Sequence, residues 1–273
     1  MQHRKLFRLV FAANLTWLAP VNADSTIEFN VEEGQKTAVQ PIVIKDGQIM
    51  VKGAGGDRNL DIFYQRADER LVLIDHKKRR FTPITEQQID RMARQAQDIQ
   101  PLLQGFGDQL RKLPPKQRAK WEEMLGGISI DHIGSADNPV NDSRLVKTGR
   151  AKQVAGINCE QLEVLQGSTK LAELCLANPS SMQLSADDYA TIRSLLSFTQ
   201  RLAAKAQGFA SQFGISVPPI QFSDLAGVPV EMVDLSGKHP TVMALNRITD
   251  SISPDESPRV PSGYQAQDLT FWR

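Results

Sequence analysis

The first third of the chain alternates short apolar runs with connections of hairpin length. Turn signals such as Asp46-Gly47 and the charged stretch 66–70 separate these runs. Loops this short can join antiparallel strands, whereas parallel strands need a crossover of a dozen or more residues. The sequence therefore predicts an antiparallel meander and argues against a parallel α/β sheet. The strands predicted here are 26–31, 42–45, 48–52, 60–65 and 71–75.

Two later stretches repeat apolar residues every three or four positions, the period of an amphipathic helix. The first covers about 86–125 and begins with Thr85 and Gln88, a capping-box pair. The second covers about 185–213 and begins with Ser185 as its N-cap. Strands and helices in this order predict an α+β fold, a curved antiparallel sheet with both helical segments packed on one face. Further strands are predicted at 144–148, in a hairpin up to 177, at 228–235, at 241–248 and near 263–269.

Residues 1–23 have the three parts of a cleavable secretory signal peptide. Three basic residues precede an apolar stretch from 9 to 19, and residues 21–23 form a small-residue cleavage site. A membrane anchor is the alternative, but the apolar stretch is far shorter than the roughly 20 residues that span a bilayer. No cysteine follows that stretch for attachment of a lipid. We therefore expect a soluble periplasmic protein that consists of one α+β domain, residues 24–273.

Charge and motif content argue against several classes of function. Without residues 1–23 the chain has 29 basic and 31 acidic residues, so it lacks the basic surplus of a nucleic-acid-binding protein. The histidines at 76, 132 and 239 match no zinc-binding spacing. The chain also contains neither a G-x-S-x-G motif nor a phosphate-binding glycine loop. We expect a protein without cofactor or metal that is not an enzyme, and a hydrolase is a distant alternative.

The two cysteines lie on either side of a turn signal. Cys159 lies eight residues before Gly167 and Cys175 lies eight residues after it. A hairpin that turns at Gly167 would therefore place the two cysteines opposite each other. Facing residues of antiparallel strands are close enough for a disulfide, and an exported protein meets oxidising conditions. The sequence predicts a structural disulfide. A redox-active pair is the alternative, although such pairs usually have C-x-x-C spacing.

The strongest local charge feature is the run from His76 to Arg80. Lys77, Lys78, Arg79 and Arg80 are a candidate contact for lipid headgroups or other anions. The alternative, which we favour, is a solvated hairpin turn whose charges protect the edge of the sheet.

Several phenylalanines fall on predicted strand or helix faces. Such residues usually belong to the core, but a curved sheet facing amphipathic helices can leave an apolar gap between the layers. The candidates for lining such a cavity are Phe63, Phe106, Phe209 and Phe213.

Four segments resemble three motifs of an exported family known as domain of unknown function 4412. Residues 71–84 (LVLIDHKKRRFTPI) resemble its K-K-x-aromatic pattern after a strand. Residues 154–162 (VAGINCEQL) and 173–177 (ELCLA) are similar to its G-x-x-C hairpin, and 260–264 (VPSGY) to its closing V-P-x-G-Y. The resemblance implies a LolA-like periplasmic fold, a half-barrel that holds helices in its cavity and binds acyl chains or lipoproteins. It transfers no catalytic residue.

We therefore expect a periplasmic, non-enzymatic protein that binds an apolar or lipid-bearing ligand. The alternative is a module that contacts another envelope protein and has a filled core, because the two long helical segments would fill the cavity. The volume of the cavity distinguishes the two: an open apolar cleft of about 300 Å³ or more favours the ligand.

Overall fold

The computed structural model describes residues 25–54, 57–124, 130, 143–210, 227–237, 239–250 and 257–269. In these residues, twelve strands form one open sheet that is antiparallel except at one edge. The predicted signal peptide, 1–23, lies outside the described residues. The strands are β1 (Ser25–Glu33), β2 (Lys36–Lys45), β3 (Gln48–Val51), β4 (Leu60–Gln65), β5 (Arg70–Asp75), β6 (Arg80–Ile84), β7 (Ser143–Val154), β8 (Ile157–Gln166), β9 (Thr169–Ala177), β10 (Val228–Asp234), β11 (Thr241–Thr249) and β12 (Gln265–Ala266).

The spatial order of the strands is β12-β6-β5-β4-β3-β2-β1-β11-β10-β9-β8-β7. Two meanders, β1 to β6 and β7 to β11, are joined where β1 pairs with β11. The predicted antiparallel meander is confirmed, and Asp46 and Gly47 form its two-residue turn with φ of 50° and 73°. Strand β2 begins at Lys36, six residues before the predicted start, because its exposed first half pairs with β1.

The helices are α1 (Glu86–Arg111), α2 (Pro115–Met124), a 3₁₀ turn (Pro179–Met182) and α3 (Ala186–Ala210). Both predicted N-caps are confirmed. The Gln88 N–H donates to Thr85 Oγ1 at 3.2 Å while the Thr85 N–H donates to Gln88 Oε1 at 2.9 Å. The Asp188 N–H donates to Ser185 Oγ at 3.0 Å. The fold class is therefore α+β.

Helix α3 packs on the sheet and α1 packs on α3. The hydroxyls of Tyr64 and Ser194 lie 2.7 Å apart, and the Tyr64 ring centroid is 5.7 Å from that of Phe198. Arg201 on α3 donates to Glu86 on α1 at 2.7 Å and to Glu69 on the β4–β5 turn at 2.7 Å. These contacts tie both helices to the same end of the meander.

The space between α3 and the sheet is filled by a helix-side core. Tyr64, Ile44 and Ile49 have no more than 1% of their surface exposed, and Phe198 on α3 is equally buried. A second cluster lies on the opposite face of β2 to β5, because neighbouring residues of a strand point to opposite faces. That outer cluster is Val43, Met50, Phe63, Val72 and Ile74, and Val260 and Tyr264 from the C-terminal segment pack against it.

Candidate ligand cavity

A cavity of about 760 Å³ lies along β7, β8 and the end of β9. Its apolar lining comes from Leu145, Leu162, Val164 and Leu176. Leu162 and Val164 are almost fully buried and pack with Leu174 and Ala172 on β9. The volume lies within the range of roughly 300–1,000 Å³ that is typical of small-molecule sites.

The alternating sequence of β8 explains why this wall is apolar. Leu162 and Val164 are two residues apart and therefore point to the same face, while the Cys159 side chain points to the other. The same alternation separates Leu174 from Cys175 on β9. One face of this hairpin thus carries the branched apolar residues, and the opposite face carries the disulfide.

Charged and polar residues complete the lining of the cavity. Arg144 and Lys147 on β7 supply positive charge, and Lys147 Nζ lies 3.5 Å from Glu160 Oε2. Ser143, Asn158 and Asn178 add hydrogen-bonding groups. Glu160 also lines the cavity, so Arg144, Lys147 and Glu160 together give it one net positive charge. An apolar wall with this charge and several amide groups suits a ligand that has an apolar body and a polar head.

The Cys159–Cys175 disulfide is confirmed, with Cα atoms 5.4 Å apart. The predicted register is wrong, since Cys159 pairs with Ala177 and Cys175 pairs with Gln161. Two features account for this difference. The turn occupies residues 167 and 168, and an irregularity after Val164 shifts β9 by one further residue. The disulfide therefore joins diagonal neighbours of the two strands.

Ion pairs occupy the part of β7 to β10 near the disulfide. Lys170 donates to Glu173 at 2.6 Å and to Glu163 at 3.3 Å, and Lys152 pairs with Glu231. The hydrogen bond from Lys170 lowers the pKa of the Glu173 carboxyl, and the two carboxylates raise the pKa of Lys170. The Lys170–Glu163 pair links the neighbouring strands β9 and β8, and the Lys152–Glu231 pair connects β7 with β10 across the two strands between them.

Of the phenylalanines predicted to line a cavity, Phe63 and Phe106 are not part of the lining of this one. Phe63 is buried in the outer cluster, and Phe106 on α1 is 41% exposed beside Trp121. Phe209 falls in the last turn of α3, where side chains are not described, and Phe213 lies outside the described residues. Phe63 lies on the face of β4 that points away from α3, and Phe106 lies on α1 outside the helix-side core.

The basic run lies at the turn between β5 and β6. The Lys78 N–H donates to Asp75 Oδ1 at 2.8 Å, and Arg79 adopts a left-handed φ of 53°. The Arg79 guanidinium lies 5.9 Å from the ring centroid of Tyr264, and Arg80 donates to Gln267 at 3.5 Å. Both arginines thus contact the C-terminal segment, while Lys77 and Lys78 are exposed.

A second cavity, of about 590 Å³, lies between the C-terminal segment and β3 to β5. Asp61 Oδ2 accepts a hydrogen bond from His76 Nε2 at 2.9 Å, and His76 Nδ1 lies 3.0 Å from the Tyr264 hydroxyl. Asp61 Oδ1 also accepts from the Gly53 N–H at 3.0 Å. Sequence reasoning missed this chain of contacts, since 188 residues separate His76 from Tyr264.

In the part of the chain that the structure describes, no group of three or more histidine, cysteine or acidic side chains could hold a metal ion. Over the same residues, no helix has the length and apolar character needed to cross a bilayer.

No family model and no curated protein match the chain in sequence. Among solved structures it is similar to PNGF-II, with a TM-score of 0.39 and 7% identity over 90% of this chain and 31% of that chain. It is also similar to an uncharacterized conserved protein from Thermus thermophilus, with a TM-score of 0.40 and 8% identity over 91% of both chains. The chain thus spans about a third of the length of PNGF-II. Similarity at these TM-scores carries no argument about function.

Proposed function

We propose that this protein is a periplasmic, non-enzymatic binding protein that holds an apolar or lipid-bearing ligand in the cavity along β7 to β9. The observation that carries the proposal is the cavity volume of about 760 Å³ beside the buried Leu162 and Val164. Arg144 and Lys147 at the same cavity would attract an acidic or phosphate head. The proposal includes a half-barrel shape for the sheet and export of the mature chain from residue 24.

The second candidate is a module that binds another envelope protein. The filled space between α3 and the sheet favours it, because Tyr64 and Phe198 leave no room for a ligand there. That observation removes the gap between the layers as a ligand site but does not affect the cavity along β7 to β9. The ligand-binding function therefore remains the better supported of the two.

Native mass spectrometry of the protein purified from periplasm tests the proposal directly. We expect a lipid adduct on wild-type protein and its loss in Ala151→Trp, because Ala151 is an exposed lining residue and an indole there would occupy the cavity. Ala38→Trp is the matched control, since Ala38 is also an exposed strand alanine but lies on β2, away from the cavity. Absence of any lipid from wild-type protein, or an equal adduct on both tryptophan variants, would refute the proposal.

A further inference from the structure

Exposed apolar side chains are concentrated on the hairpin formed by α1 and α2. In the described residues, the large hydrophobic side chains with high exposure are Leu102 at 74%, Phe106 at 41%, Met124 at 75% and Val39 at 56%. Three of these four belong to the α1–α2 hairpin, and the fourth, Val39, lies on β2. Contiguous apolar surface on a soluble protein commonly marks an interaction site.

Leu102, Phe106 and Met124, together with the half-buried Trp121, form the surface that we name the hairpin patch. Leu102 and Phe106 are one helical turn apart on α1, and Trp121 and Met124 are three residues apart on α2, so each pair shares a face. The rings of Phe106 and Trp121 meet edge to face with centroids 6.0 Å apart, which joins the two pairs. Helix α2 has no fully buried residue, and its Trp121 also packs against Leu110 and Ile130.

Basic residues surround the hairpin patch. Residues 106–121 contain five basic residues and a single acid, Asp108, which pairs with Arg111 at 2.6 Å. Lys112, Lys116 and Lys120 are all exposed. Of the two acids that follow on α2, Glu122 accepts a hydrogen bond from the Ile130 N–H at 3.0 Å. The charge next to the apolar surface is therefore mainly positive.

We propose that the hairpin patch docks the protein on the surface of an anionic lipid bilayer. Phenylalanine, leucine and tryptophan side chains insert into the boundary between headgroups and acyl chains, and flanking lysines attract anionic headgroups. The positive charge of the nearby lysines favours this occupant over an apolar groove on another protein, which would need no lysines beside the apolar surface. The docking surface is distinct from the cavity along β7 to β9 and does not depend on a ligand there.

Flotation with vesicles of equimolar phosphatidylglycerol and phosphatidylcholine tests the proposal with mature full-length protein. We expect Phe106→Ser combined with Met124→Ser to lower the partition coefficient at least about tenfold, because burial of each side chain favours the interface. Replacing Lys112, Lys116 and Lys120 with serine should lower it about fivefold per lysine. Raising NaCl to about 1 M, where the Debye length is about 3 Å, should weaken binding of the wild type.

Val39→Ser combined with Lys36→Ser is the matched control, since it removes an exposed apolar residue and a lysine from β2. This variant should float like the wild type, and so should Ala151→Trp, which separates docking from ligand binding. Circular dichroism checks that the variants stay folded. The proposal is overturned if the wild type does not float, if it floats equally with pure phosphatidylcholine, or if the hairpin-patch variant floats unchanged. Loss of a cross-link to an envelope protein in that variant, without vesicle binding, would assign the surface to a protein partner instead.

Discussion

Truncation of Phe198 tests whether α3 is held by the filled core. Phe198 is 1% exposed, packs against Tyr64 and lies under the guanidinium of Arg201, which is 5.6 Å from its ring centroid. Phe→Ala at a buried site costs about 3–5 kcal/mol, from the lost transfer free energy and the cavity left behind. The same change at Phe106 should cost about 1 kcal/mol or less, because that side chain is 41% exposed.

Equilibrium urea unfolding of mature, oxidised protein measures both effects. We expect the free energy of unfolding of Phe198→Ala to lie at least about 2 kcal/mol below that of Phe106→Ala. Ligand occupancy of folded Phe198→Ala should match that of the wild type, because Phe198 does not line the proposed ligand cavity. If the two variants differ by less than about 1 kcal/mol, α3 is not anchored through this core and the filled-core argument fails.

Two further predictions concern charge and backbone packing. The hydrogen bond from Arg201 lowers the pKa of Glu86 below its ordinary 4.5, so this pair's stabilisation is complete above pH 4.5 and is lost as the pH falls through the lowered value. Urea unfolding at decreasing pH should show this loss, and Glu86→Gln should reduce it; an equal loss in both proteins would contradict the assignment. A Cβ at Gly227 would lie 2.6 Å from the Ala177 carbonyl oxygen, whereas one at Gly105 in α1 would meet nothing within 4 Å. Gly227→Ala should therefore lower the thermal midpoint. Gly105→Ala should raise it, because alanine is more favourable than glycine in a helix interior by about 1 kcal/mol. A shift of the same sign in both variants would refute the argument.

Local signals predicted those parts of the fold that depend on a few neighbouring residues. Asp46-Gly47 fixes a two-residue turn because both residues accept a left-handed φ. Thr85 and Gln88 fix the start of α1 because their side chains satisfy backbone N–H groups that the helix leaves unpaired. Each of these two features depends on residues within one stretch of four, so the sequence alone is sufficient to predict it.

The candidate site depended on information that is spread along the chain. The diagonal position of the disulfide results from a turn shifted by one residue and an irregularity after Val164, and neither has a strong local signal. The apolar period of α1 predicted a place for Phe106 in the core, but the helix packs on α3 near Glu86 and leaves Phe106 exposed. The sequence shows that Leu162 and Val164 alternate with polar residues and so share one face of a strand. Only the tertiary structure shows that a cavity borders them.

The disulfide links the predicted compartment to the proposed site. The Cys159–Cys175 bond ties β8 to β9 on the face opposite the apolar wall that Leu162 and Val164 of β8 form. A wall that is already fixed loses less conformational entropy when a ligand binds, which raises affinity without any new contact. A disulfide persists in an oxidising compartment such as the periplasm. The predicted export and the proposed ligand cavity are therefore consistent with each other, because the disulfide that joins β8 to β9 needs an oxidising environment.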